Sequence, residues 1–317
     1  GQARETIDAT GLVVTPGFVD IHTHYDGQAI WSEELSPSSS HGVTTVVLGN
    51  CGVGFAPCRA DDRETLIEVM EGVEDIPGVV MAEGLPWDWE TFPQYLDALE
   101  ARPRDIDVAA FLPHSPLRVY AMGERGARRE AATAADLARM QELAREALDA
   151  GALGFATSRL TIHRTLAGDQ IPSFDADMAE IGAIVDALGE ADDGMLQIVL
   201  NVPFRSWREE LEPVIAIAER SRRPLTFTLG LPNAGEPNWP EALALCDAAR
   251  ARGVEIWPQL LPRPVGMVSG WELSTHPFCL CPSYLAIASL PLEQQLDRLR
   301  DPGFRANLIS EPPQAGH

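Results

Sequence analysis

Two histidines one residue apart close an apolar run near the start of the chain, Gly17-Phe18-Val19-Asp20-Ile21-His22-Thr23-His24. Alternation along a strand puts both imidazoles on one face. Two neutral imidazoles side by side are half of a zinc site, and burying them with no partner is costly. A second apolar run leads into Val46-Val47-Leu48-Gly49-Asn50-Cys51-Gly52-Val53-Gly54. Thiolate is a strong zinc ligand, and the flanking glycines suggest backbone packed closely around a fixed group. His22, His24 and Cys51 are therefore the expected metal ligands, with zinc, one ion per chain, the expected cofactor. A metal held this way lowers the pKa of water and polarises a carbonyl, which is the chemistry of hydrolysis. The chain has no lysine, since all 24 of its Lys and Arg residues are Arg. A carboxylated lysine cannot bridge two metals here, and Schiff-base chemistry and a phosphate-loop lysine are excluded too.

The elements that must position these residues alternate. Strands are expected over 17–24, 43–49, 107–113, 152–158, 194–200, 224–229 and 254–260. Helical patterns lie between them near Asp61–Glu71, Ala135–Ala150, Asp175–Leu188, Trp207–Arg220, Pro240–Arg252 and Pro291–Arg300. The clearest recurs at Leu137, Met140, Leu143, Ala144 and Leu148 before a Gly151 stop. Repeated β then α means parallel strands with right-handed crossovers. A (β/α)8 TIM barrel needs eight strands and the chain supplies seven. A doubly wound open sheet is the other arrangement compatible with that number. Glu5–Val14 reads as strand, turn, strand, and so as part of a small β-sandwich domain over 1–15, with the hydrolase barrel over 16–317. The Pro/Gly-rich Glu311–His317 is not an eighth strand, and the chain is expected to be a fragment of a longer polypeptide.

In a barrel, chemistry sits at the C-terminal strand ends and stability at the other face. That rule places His114, His163 and His276 on the chemical face and His41 on the stability face. His114, Arg118, Ser158 and His163 are candidates for further metal or substrate contacts. Arg118, Arg159 and Arg164 are candidates to clamp a substrate carboxylate, against the plainer alternative of surface arginine. His317 is terminal and uninformative.

The net charge of −23 makes nucleic acid and anionic membranes poor partners. An odd set of five cysteines, with no leader-like start and no run of membrane-spanning length, fits a reduced cytoplasmic protein. Cys279-Leu280-Cys281 is too closely set for a redox or zinc-finger pair.

Taken together, Pro16–Asp26, Gly42-Val43-Thr44-Thr45-Val46-Val47 and Gly49-Asn50-Cys51-Gly52 resemble the N-acyl-D-amino-acid deacylases of the amidohydrolase superfamily. His114-Ser115-Pro116-Leu117-Arg118, Met122-Gly123 and Gly151-Ala152-Leu153-Gly154-Phe155 extend the likeness to about residue 160. The resemblance implies a (β/α)8 barrel with a small β domain, and zinc with a cysteine in the metal site. It implies that the histidine pair and the cysteine serve different metal positions. It also implies two further metal histidines at the ends of strands five and six and a catalytic aspartate after strand eight. Here strand five ends Ile198-Val199-Leu200-Asn201-Val202, strand six ends Phe227-Thr228-Leu229-Gly230, and no strand eight precedes His317. The expected aspartate then lies outside this chain, and His163 is the first choice to compensate for the missing ligands. The leading function is hydrolysis of N-acyl-D-amino acids, small-molecule substrates. Another amidohydrolase reaction and a weak or inactive binding protein are the alternatives, and homo-oligomerisation is left open.

Overall fold

The computed structural model describes residues 3–201, 206–230, 239–261, 269–273 and 276–313. Its strands are β1 (Phe18–Asp20), β2 (Val43–Leu48), β3 (Asp107–Ala110), β4 (Leu112–Pro113), β5 (Gly154–Ser158), β6 (Met195–Val199), β7 (Leu225–Thr228) and β8 (Ile256–Gln259). They form two sheets, β1-β2-β3 and β4-β5-β6-β7-β8, and every pairing is parallel. β3 and β4 are two pieces of one expected strand, interrupted at Phe111. There the Phe111 amide still donates to Leu48 O at 3.0 Å, so the two sheets form one arc of seven strand positions. The strands follow one another in chain order. That is the order of a singly wound β/α fold; a doubly wound sheet reverses direction at a switch point. Among the described residues β1 and β8, the two ends of the arc, are not paired with each other.

Helices cover the outer face. They include α1 (Arg63–Glu74), α2 (Phe92–Glu100), α3 (His114–Met122), α4 (Ala134–Asp149), α5 (Met178–Ala191), α6 (Trp207–Ser221) and α7 (Trp239–Ala251), with α8 (Leu292–Arg300) and α9 (Pro302–Ser310) after the last strand. α4 shows why they form. Thr133 caps it, and Asp136 closes a capping box onto the Thr133 amide. One stripe, Met140, Leu143, Ala144, Ala147 and Leu148, is buried. With helices outside and side chains filling the inside, all of β5 is buried, as is β6 from Leu196 to Val199.

Three expectations need correction. β1 is shorter than the run 17–24, so His22 and His24 lie beyond it. Residues 3–15 contain the expected turn, with Leu12 N donating to Ala9 O at 2.9 Å, but no strand on either side. A strand needs a hydrogen-bonded neighbour, and Ile7, Leu12, Val13 and Val14 are exposed with none among the described residues. α2, α3 and α9 were not foreseen, and α3 begins at His114, directly after the expected strand 107–113. Val202 and His317 lie outside the described residues.

Candidate metal centre

Past the end of β1 the chain keeps alongside β2, because Thr23 N and Thr23 Oγ1 both reach Val47 O, at 3.1 and 2.7 Å. With Thr23 turned to the wall, its neighbours His22 and His24 share the other side, with ring centroids 5.4 Å apart. Cys51 arrives from the end of β2 in a tight turn over Asn50–Gly52. Its backbone is left-handed, φ 57°, a conformation uncommon for a residue with a Cβ. Glycine is required beside it. A Cβ on Gly49 would stand 2.2 Å from Phe111 O, and one on Gly52 2.8 Å from Thr157 Cα. Gln197, at the centre of β6, accepts from the Cys51 amide at 3.2 Å and fixes the turn from across the arc.

The result is a cluster in which ligand atoms of His22, His24 and Cys51 lie within 4.8 Å of one another. His22 Nε2 is 3.2 Å, and His24 Nε2 3.5 Å, from Cys51 Sγ. Tetrahedral zinc, with bonds of about 2.0–2.1 Å to nitrogen and about 2.3 Å to sulfur, separates such a pair by about 3.5 Å. Both imidazole–thiol separations therefore match those of co-ligands on one zinc ion.

The surroundings suit a cation. His22 Nδ1 is 2.9 Å from Gln259 Oε1, at the end of β8, and that oxygen also receives Thr228 Oγ1 at 3.5 Å. An oxygen accepts, so Nδ1 carries the proton and Nε2 keeps its lone pair toward Cys51. His24 Nε2 is also 3.3 Å from Glu74 Oε1, and His24 Nδ1 is buried without a partner. Asp26 is buried; its Oδ1 accepts from Gly49 N at 2.9 Å and its Oδ2 has no partner. Burial lowers the pKa of His22, aided at His24 by the charges of His22 and His163, so both imidazoles stay neutral. Burial, followed by Glu74 and Asp26, pushes the Cys51 thiol well up. Burial also carries Asp26 to about 7, and burial with Asp26 and Asp75 carries Glu74 to about 8. A bound cation would reverse this strain by stabilising the anionic forms.

The other sequence candidates divide. Ser158, the last residue of β5, is 2.9 Å from His163 Nδ1 and accepts from Leu160 N. It holds His163 close enough that His22 acts on it electrostatically, and burial and His22 lower the His163 pKa to about 4. His163 thereby stands beside His22 and His24. His114 and Arg118 do not serve the centre. His114 Nδ1 pairs with Thr157 Oγ1 at 2.8 Å and Nε2 with Glu180 Oε1 at 2.9 Å. Arg118 Nη1 contacts both oxygens of Glu180 at 2.6 Å, and Nη2 donates to Glu130 O. Both side chains are committed to Glu180, a buried carboxylate that needs them, so neither is available for a ligand or substrate carboxylate. Arg159 faces Glu210 at 3.5 Å. Arg164 lines a cleft of about 840 Å³ together with Trp271 and Tyr284. His276 is stacked on Trp271 and edge-on to Tyr284, apart from the ligand cluster. His41 is exposed at the opposite end of β2, bonded to Pro37 O at 2.8 Å. Glu74, Asp26, Gln197 and Gln259 are the residues that sequence reasoning missed. Only Asp26 had a signal, its place two residues after His22-Thr23-His24 within the quoted motif.

Residues 5–315 match the amidohydrolase family, Amidohydro_3. D-aminoacylase of Alcaligenes xylosoxydans xylosoxydans is 32% identical over 251 residues, 79% of this chain and 47% of that protein. N-acyl-D-aspartate deacylase of the same organism is 39% identical over 153 residues, 48% of this chain and 28% of that one. Among solved structures, N-acyl-D-glutamate deacylase of Bordetella bronchiseptica, complexed with zinc and a phosphonate mimic of the tetrahedral intermediate, superposes with TM-score 0.61 at 29% identity. That match covers 78% of this chain and 48% of that one. A D-aminoacylase structure addressing its binuclear metal centre, with one-metal activation and second-metal attenuation, gives the same TM-score, identity and coverage. The chain thus spans about half the length of D-aminoacylase and of these structural neighbours. No helix among the described residues is long and apolar enough to cross a membrane.

Proposed function

The chain belongs to the amidohydrolase family, and on that premise we propose that it serves zinc-dependent hydrolysis of the amide bond of N-acyl-D-amino acids in the cytoplasm. The observation that carries the reading is the convergence of His22 Nε2, His24 Nε2 and Cys51 Sγ at zinc-ligand separations. Zinc held there supplies polarisation of the amide carbonyl and activation of water. The protein's own work is orientation. Gln259 fixes the His22 tautomer, Gln197 fixes the Cys51 turn, and Ser158 holds a neutral His163 beside His22. Arg118, committed to Glu180, is excluded as carboxylate clamp. The named relatives act on N-acyl-D-amino acids, and that supports the substrate class.

Residues 1–15 are assigned, on the same reading, to a small β domain, and a further strand to the gap between β1 and β8. Phe18 and Val19 on one edge and Trp257 and Leu260 at the other are exposed apolar side chains, as an uncovered interface would be. A structure of the intact polypeptide with that gap empty would remove this assignment.

Release of free amino acid from matched N-acyl-D- and N-acyl-L-substrates tests the function, with faster release from the D-series expected. Equal rates, or turnover of cyclic amides only, would overturn it. A second reading, a binding protein with a weak or silent site, is favoured by one observation. The described ends of β6 and β7, Leu200-Asn201 and Leu229-Gly230, carry no histidine. Stoichiometric zinc with no turnover on any acyl-amino acid would support it.

A further inference from the structure

We propose that Glu74 is a metal ligand of this centre, a carboxylate standing where the ends of β6 and β7 offer no imidazole. The inference rests on the His22–His24–Cys51 reading and adds to it a residue from a helix.

The geometry of one nitrogen carries the argument. A carboxylate that only orients a metal-bound histidine takes the proton of the ring nitrogen facing away from the metal. Gln259 does this for His22, at Nδ1. Glu74 does something different at His24. It contacts Nε2, the same nitrogen that faces Cys51 Sγ, while Nδ1 is buried without a partner. One atom on His24 thus looks toward both a thiol and a carboxylate, as a ligand does toward its co-ligands. Glu74 stands outside the three-residue cluster and meets it at His24; at that pair the separation agrees. Tetrahedral zinc with bonds of about 2.0–2.2 Å to nitrogen and oxygen sets two such atoms about 3.4 Å apart, and His24 Nε2 stands 3.3 Å from Glu74 Oε1.

Local preference does not explain the placement. Glu74 is the last residue of α1, and a negative charge at a helix C-terminus opposes the helix dipole. A residue set against its local rule is expected where function demands it. Asp26 gives an independent sign. It is 2% exposed, one oxygen has no partner, and its charge acts on both Cys51 and Glu74. Ligand charge points the same way. Thiolate alone leaves a buried zinc site at +1, whereas thiolate plus carboxylate makes it neutral. Four protein ligands do not shut out water, since catalytic zinc accepts a fifth position.

The test uses zinc affinity by chelator competition, and the visible spectrum of the cobalt-substituted protein, on wild type, Cys51→Ala and Glu74→Gln. Wild type should bind one metal and show both a sulfur-to-cobalt charge-transfer band and tetrahedral ligand-field bands. Glu74→Gln should keep the charge-transfer band, change the ligand-field bands and lose at least ~100-fold in zinc affinity, more than the 10–100-fold typical of an outer partner. Unchanged affinity and spectrum in Glu74→Gln would overturn the proposal while leaving the three-residue centre intact. No stoichiometric metal in wild type would instead overturn the centre itself. If Glu74→Gln does not fold, Glu74→Asp replaces it, with its oxygen withdrawn by one methylene. A changed ligand-field spectrum is expected there, and an unchanged one counts against Glu74.

Discussion

His114 and His24 each face a carboxylate, Glu180 at 2.9 Å and Glu74 at 3.3 Å, and each follows the end of a strand. Around His114 the ring and the carboxylate are fully bonded, and Arg118 Nε alone is left over. Both ring nitrogens are taken, both Glu180 oxygens are taken, and Arg118 supplies the balancing charge. Around His24 it is not. Cys51, Asp26 and Glu74 crowd two neutral imidazoles, and His24 Nδ1, Asp26 Oδ2 and Gln197 Nε2 have no partner. A buried cluster that closes on itself holds the fold together. One left open, with acidic groups in excess, is arranged around something else. The same residue types therefore support opposite roles, and the difference lies in which atoms remain unspent.

The contrast breaks most readily at Cys51. Cys51→Ala or His22→Ala should abolish stoichiometric zinc, measured as metal per chain. Two tightly held zinc ions, or unchanged zinc in Cys51→Ala, would sink the one-metal centre. Next in size is Glu180→Gln, which strands the Arg118 charge in the interior. Stability to urea should fall by about 3–5 kcal/mol, with zinc content unaltered; loss of zinc at equal stability would exchange the roles of the two clusters. Gln259→Ala should weaken zinc about 10–100-fold by freeing the His22 ring, and a Gln259→Ala protein with wild-type affinity would leave that bond without purpose.

Acid should separate the clusters more gently. Burial lowers the His114 pKa below 6.5 in the folded state. Burial would raise that of Glu180, but His114 and Arg118 outweigh it and hold it below 4.5. For both groups the unfolded chain binds more protons, so stability falls as pH drops. The fall begins near pH 6.5 with His114 and steepens below 4.5 with Glu180, and the steeper part should vanish from the acid denaturation curve of Glu180→Gln. Smallest of all, His41→Ala should change neither zinc nor stability measurably, since His41 is exposed at the far end of β2.

Much of this was legible in the chain. All seven expected strand positions are occupied, because parallel strands buried on both faces leave dense apolar runs between helical periods. His22, His24 and Cys51 were legible because their ligand chemistry is rare and each follows a strand. His114 and Arg118 misled because what commits them, Glu180, lies more than 60 residues further on, within a helix. Glu74 and Gln259 left no trace. An acid at a helix end and an amide in a strand are ordinary residues until the fold brings them to an imidazole.

The bond between His22 and Gln259 joins residues 237 positions apart, the first strand of the arc to the last. During synthesis the histidine pair and the cysteine emerge early, yet nothing fixes the His22 ring until residue 259 has left the ribosome and β8 has docked. On the proposed reading, metal capture at full affinity is therefore a late event in the life of the nascent chain, and it would report that the arc has been built from end to end.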